Sequence, residues 1–340
     1  MPAQAVPFQL RKLYIEDEYE YDGTSTRFWD AIRSVTSRLT SVKLPFFPSA
    51  SHDFGISYSQ LVELRIRCLT AVEEGDETYP ERFLLILGTC RQLRTLVLNT
   101  SFQHQTPFGP FRVVLPSLTS LTIADYSWGN EVLASFCSCI SVPSLIHLEV
   151  AGDDESNGLV VNMVARSSRH LRTLKYTMVC VDNDKPVSQQ EPAKFTAWEP
   201  FSSTLVDFEL QVTSRRRGVP RHDVVDYYLS ALLAALKDAE NTVLPKLQSF
   251  TLTLEDITVN TQLGDTIMSL MSARRAAGLP LRYLKLARLQ NAREHDQPEK
   301  FVLGAAVVER MQDLERRLGV RILIEQKTYH EEKFMIDAGM

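Results

Sequence analysis

The chain has 340 residues, a formal net charge of -5 and 44% hydrophobic residues, with 14 Gly and 16 Pro. That composition supports a packed core and argues against global disorder, and the acidic balance argues against attraction of the whole molecule to phosphate backbones. No N-terminal stretch reads as a secretory signal, and no run approaches the ~20 apolar residues needed to span a bilayer.

One pattern recurs along the chain. It appears first as Leu10-Arg11-Lys12-Leu13-Tyr14-Ile15, then as Leu39-Thr40-Ser41-Val42-Lys43-Leu44, Leu61-Val62-Glu63-Leu64-Arg65-Ile66 and Leu93-Arg94-Thr95-Leu96-Val97-Leu98. The next two copies carry a leading proline, Pro116-Ser117-Leu118-Thr119-Ser120-Leu121-Thr122-Ile123 and Pro143-Ser144-Leu145-Ile146-His147-Leu148-Glu149-Val150, as does the later copy at Leu247 with Pro245. Four more begin at Leu171, Leu205, Leu247 and Leu281, and an apolar strand, Val320-Arg321-Ile322-Leu323-Ile324, closes the series. The last two apolar positions of each copy lie two apart, as one face of a strand requires.

Between copies the period becomes helical, with Phe28, Ile32 and Val35, then Val132, Phe136 and Ile140, Leu229, Leu233 and Leu236, Leu263, Ile267 and Leu270, and Val307, Met311, Leu314 and Leu318. Strands alternating with helices predict parallel pairing with helices outside: an α/β solenoid with a curved sheet on its concave side and helices on its convex side. Pro116, Pro143 and Pro245 cannot extend a preceding helix and favour an extended approach to the strand. The expected organisation is one domain over 1–340, with repeats over 9–325, irregular loops at 181–200 and 213–221, and a tail at 326–340.

Alternation also predicts which side chains face away from the core: Lys12, Tyr14, Ser41, Lys43, Glu63, Arg65, Arg67, Thr95, Val97, Ser120, Thr122, His147, Glu149, Thr173, Lys175, Asp207, Glu209, Ser249, Thr251, Tyr283 and Lys285. Mixed charge with Tyr, His and Arg suits a protein partner better than nucleic acid. The run Arg215-Arg216-Arg217 with Arg221 is the densest basic stretch and a candidate for docking an acidic partner.

Catalytic groupings are not visible. Cys137 and Cys139, two apart on a helix, point roughly 200° from one another and fit core packing rather than one metal. Asp223 reads as a helix cap beside His222 and Asp226, Asp153-Asp154-Glu155 as a solvated turn, and His330-Glu331-Glu332 lacks a second zinc-binding histidine. No phosphate loop or nucleophile elbow is present. The expectation is a protein that is not an enzyme and uses no cofactor or metal. Five cysteines at irregular spacing without a signal favour reduced thiols, hence an intracellular protein, cytoplasmic or nuclear, and make the sequon at Asn99 coincidental.

These repeats resemble the leucine-rich repeat family, in the irregular style found C-terminal to the F-box of many fungal F-box proteins. The likeness covers about residues 10–324, with equivalent leucines from about 22 residues apart (Leu39 to Leu61) to about 42 (Leu205 to Leu247). Only Asn99 falls near the family's asparagine position. The resemblance implies a scaffold that recruits a protein target for ubiquitination. Leu115-Pro116, Leu244-Pro245 and Leu279-Pro280 imitate an F-box opening but lead into repeat strands, so contact with a ubiquitin ligase adaptor requires an F-box lying upstream. The alternative is direct regulation of an enzyme, as a GTPase activator or inhibitor, with Arg215 to Arg217 supplying the arginine.

Overall fold

The computed structural model of the chain describes residues 10–15, 38–46, 56–68, 79–99, 108–109, 111–124, 130–152, 154–180, 201, 203–214, 236, 244–255, 263–291 and 305–329. The chain divides into two compact units, Met1–His170 and Leu171–Met340.

The first unit holds strands β1 (Lys12–Tyr14), β2 (Ser41–Phe46), β3 (Glu63–Cys68), β4 (Thr95–Asn99), β5 (Val113–Val114), β6 (Ser120–Ala124), β7 (Ile140–Ser141) and β8 (His147–Gly152), and helices α1 (Tyr79–Thr89), α2 (Asn130–Cys139) and α3 (Asp154–Ser167). Six of these strands pair in parallel in the order β1-β2-β3-β4-β6-β8, and β5 pairs with β7. The second unit holds β9 (Thr173–Cys180), β10 (Asp207–Ser214), β11 (Ser249–Glu255), β12 (Tyr283–Asn291) and β13 (Arg321–Tyr329), parallel in chain order, with α4 (Leu263–Ala276) and α5 (Ala305–Leu318). The protein is therefore α/β, built on parallel strands that, β5 and β7 apart, each carry one copy of the sequence pattern or the apolar strand that closes it.

Register turns the pattern into ranks. Leu13, Val42, Leu64, Leu96, Leu121 and Leu148 stand side by side, as do Leu44, Ile66, Leu98, Ile123 and Val150. In the second unit the ranks are Leu174, Phe208, Phe250 and Leu284, then Tyr176, Leu210, Leu252 and Leu286, with the Phe208 and Phe250 rings stacked 5.7 Å apart. All of these are buried, and so is the first leucine of the pattern from Leu39 to Leu281. Stacking the repeats joins these side chains into a continuous core that a single repeat could not bury alone.

What holds the ranks in register is main chain. The carbonyl of the second pattern residue accepts two N–H groups from the next unit: Arg11 from Thr40 (2.9 Å) and Ser41 (3.2 Å), Thr40 from Val62 and Glu63, Val62 from Arg94 and Thr95, Arg94 from Thr119 and Ser120, Thr119 from Ile146 and His147. The second unit repeats this at Arg172, Val206 and Gln248. The acceptor residues are Arg, Thr, Val and Gln, so the device ignores side-chain identity. No asparagine ladder is needed for it, and Asn99 is exposed at the end of β4.

The prolines act differently from the sequence expectation. Leu118 N–H donates to Leu115 O (3.3 Å), Leu145 to Val142 (3.2 Å) and Leu247 to Leu244 (3.1 Å), which puts Pro116, Pro143 and Pro245 second in four-residue turns that end on the first leucine. Their fixed φ suits that position. Leu244 itself is buried with φ at 57°, a left-handed conformation that strains a leucine.

Other expectations need correcting. Asp154 and Glu155, read as part of a turn, fall at the start of α3. Ile140 lies in β7 rather than in α2, and residues 213–214 belong to β10 rather than to a loop. The expected helices around Phe28 and Leu229, and the loop 181–200, lie outside the described residues. α4 ends as expected of a glycine cap: Gly278 (φ 72°) donates to Arg275 O and Leu279 to Arg274 O. Among the described residues no helix is long and apolar enough to cross a membrane.

Candidate protein-binding face

Because the buried ranks use alternate residues, the intervening ones form ranks on the opposite side of each unit's sheet. In the first unit Lys12, Ser41, Glu63, Thr95, Ser120 and His147 make one, and Tyr14, Lys43, Arg65, Val97, Thr122 and Glu149 the next, with Arg67 two residues beyond Arg65. In the second, Thr173, Asp207, Ser249 and Tyr283 align, followed by Lys175, Glu209, Thr251 and Lys285. Lys12, Tyr14, Arg65, Arg67 and His147 are exposed, and the remaining candidates are half-buried except Ser41.

Ser41 is buried because its neighbours close over it. Tyr14 Oη lies 3.5 Å from its hydroxyl, which donates to Glu63 Oε2 at 2.7 Å, and Arg65 Nε donates to Glu63 Oε1 at 2.6 Å. Burial alone would raise the Glu63 carboxyl, but the hydrogen bonds from Ser41 and Arg65 and the charges of Arg65 and Lys12 outweigh it and hold the group below its ordinary value of 4.5. A depressed carboxyl stabilises the folded state above its unfolded pKa and loses that contribution as pH falls through the folded value. Glu63→Gln should therefore unfold at lower urea than the native chain at neutral pH, and the two midpoints should converge as pH drops below 4.5; a constant gap down to about pH 3 would refute the ion-pair account.

Elsewhere on the face Thr122 Oγ1 donates to Glu149 Oε2 (3.3 Å), and Lys285 Nζ meets Glu325 Oε2 (3.0 Å). The sequence pattern stopped short in the second unit, where strands of seven to nine residues carry the ranks further. Thr177, Gln211, Thr253, Ala287 and Glu325 align as a third rank, and Gln211 Nε2 donates to Glu255 Oε2 at 2.9 Å. The signal for this extension was present: Met178, Val212 and Leu254 continue the apolar alternation past the six-residue copy.

Arg215, Arg216, Arg217 and Arg221 lie outside the described residues, as do His222, Asp223, Asp226 and His330. Cys137 and Cys139 are both buried in the first unit; burial pushes the Cys137 thiol up to about 12 and that of Cys90 to about 11. Cys139 Sγ donates to Gly109 O at 3.2 Å, so it ties α2 to the segment beside it. Among the described residues no three His, Cys, Asp or Glu side chains gather as a metal would need.

The architecture thus defines an α/β protein of repeated parallel strands with a mixed polar face. No protein-family model matches the chain, and a search of curated proteins finds no match either.

Proposed function

We propose that the chain is a leucine-rich repeat solenoid whose open sheet face binds another protein without catalysis, serving as the substrate-recognition part of a ubiquitin ligase of the F-box type. One observation carries this reading: in each unit, taken by itself, ranks of largely half-covered polar side chains stand in register from strand to strand on the side that the apolar ranks leave free. Register gives such a surface fixed spacing, and Tyr14 with 51% of its surface exposed, in the same rank as Arg65 two strands away, supplies together with Arg65 and Arg67 the residue types that anchor interfaces.

The test is affinity capture from cells that express the protein. The native chain should recover a stable partner together with an adaptor and a cullin. A chain carrying Lys43→Glu with Arg65→Glu, or Lys175→Glu with Glu209→Lys, should keep its circular dichroism spectrum and lose the partner. Recovery of no partner, adaptor or cullin, or of the same proteins by every variant, would overturn the proposal.

A further inference from the structure

β13 ends the second unit's ladder. β12 pairs along one side of it from Arg321 to Tyr329, and among the described residues no strand lies on the other. Nine residues is long for an exposed edge, which natural sheets usually shorten, bulge or cover. Arg321 N–H donates to Arg282 O (3.0 Å), which sets the phase. Alternate residues then turn their backbone groups outward, Ile322 and Ile324 among them. The Ile322 N–H reaches only a long 3.4 Å contact with Glu315 Oε1.

A second observation is independent of the first. Ile324 belongs to the rank of Tyr176, Leu210, Leu252 and Leu286, each less than a tenth exposed, yet it is itself 39% exposed. An apolar rank that runs buried across the unit is open at its last member.

We propose that this edge is a self-association site, at which two copies of the chain pair antiparallel across a two-fold axis at Leu323. A two-fold perpendicular to the sheet keeps each face on its own side, so only registers centred on a residue are allowed. Centring on Ile324 sets Arg321 against Lys327, and centring on Glu325 sets that carboxylate against its own copy. Centring on Leu323 places Arg321 opposite Glu325 of the second copy, Ile322 opposite Ile324, and Leu323 opposite itself. Oppositely charged and β-branched cross-strand pairs are the favourable ones, and like charges directly opposite are not. In that register Ile322 and Ile324 exchange N–H···O bonds, Ile324 gains the neighbour it lacks, and Glu325 keeps Lys285 on its own copy while accepting from Arg321 of the other. The short paired length makes this a weak, concentration-dependent dimer in the micromolar range.

Sedimentation of the full chain from about 1 to about 200 µM tests it. The native protein should pass from monomer to dimer. Arg321→Glu or Glu325→Arg alone should raise the dissociation constant about tenfold or more, and the double exchange should restore it to within about threefold, because only the antiparallel register pairs these two positions. Ile324→Lys, at an exposed site, should abolish the dimer while leaving circular dichroism unchanged, which keeps the test valid if Glu325→Arg disturbs the Lys285 bridge. A chain that stays monomeric throughout overturns the proposal. So does a dimer indifferent to these changes, or one that the double exchange fails to restore.

Discussion

Leu121→Asp should unfold the first unit. Leu121 is 2% exposed in β6, between Leu96 of β4 and Leu148 of β8 in the same rank. Removing its side chain forfeits about 2–5 kcal/mol of burial and packing, and a carboxylate left there without a partner adds a further penalty. Stabilities of ordinary domains total about 5–15 kcal/mol, so the sum is enough to populate the unfolded state. Limited proteolysis and urea unfolding would report it as early cleavage within Met1–His170 and a lost transition. Ser120→Asp, one residue away on the half-covered face, should shift stability by less than about 1 kcal/mol. Equal behaviour of the two variants would sink the assignment of Leu121 to the buried rank.

The second large effect is expected at Arg274, a buried residue of α4 with 3% of its surface exposed. One of its terminal nitrogens donates to Leu244 O at 3.0 Å and approaches Leu247 O at 3.4 Å, tying the helix to the strained turn that precedes β11. Burial lowers its pKa from the usual arginine value. Arg274→Ala removes both the donors and a long aliphatic stem, and should destabilise the second unit by about 3 kcal/mol. Arg274→Met refills the space without the donors and should fall between the alanine variant and the native chain. An apolar replacement escapes the cost of desolvating a guanidinium, which narrows the methionine variant's deficit relative to the native chain. A melting point at or above the native one would show that this cost exceeds the value of the two hydrogen bonds. Ser168 does an analogous job in the first unit, its buried hydroxyl donating to Leu145 O at 2.9 Å.

Strands were legible in the sequence because each copy states its own periodicity: apolar positions two apart need no knowledge of the neighbours. The polar face followed from the same alternation, residue by residue. What could not be read was whatever depends on one copy meeting another. The Tyr14, Ser41, Glu63 and Arg65 network joins residues from three strands, with Tyr14 and Glu63 each more than twenty positions from Ser41, and nothing local announces it. Helix α1 was missed although Phe83, Leu84 and Leu87 are buried at helical spacing; Pro80 sits in its first turn, where the missing N–H costs nothing. Acidic residues at 154–155 suggested solvent when they begin a helix. β5 and β7, two residues each, are too short to leave a periodic signal.

The paired main-chain acceptors have a consequence for how such a chain changes over time. Each rung is made by a carbonyl and the two N–H groups that follow the next leucine, and none of the three depends on a particular side chain. The stretch between successive rungs is therefore free to lengthen or shorten, and equivalent leucines range from about 22 to about 42 residues apart with the same rung geometry. Duplication or loss of a whole unit joins one rung to another of identical form. Chains built this way can differ in copy number and in loop length without relearning how their strands meet.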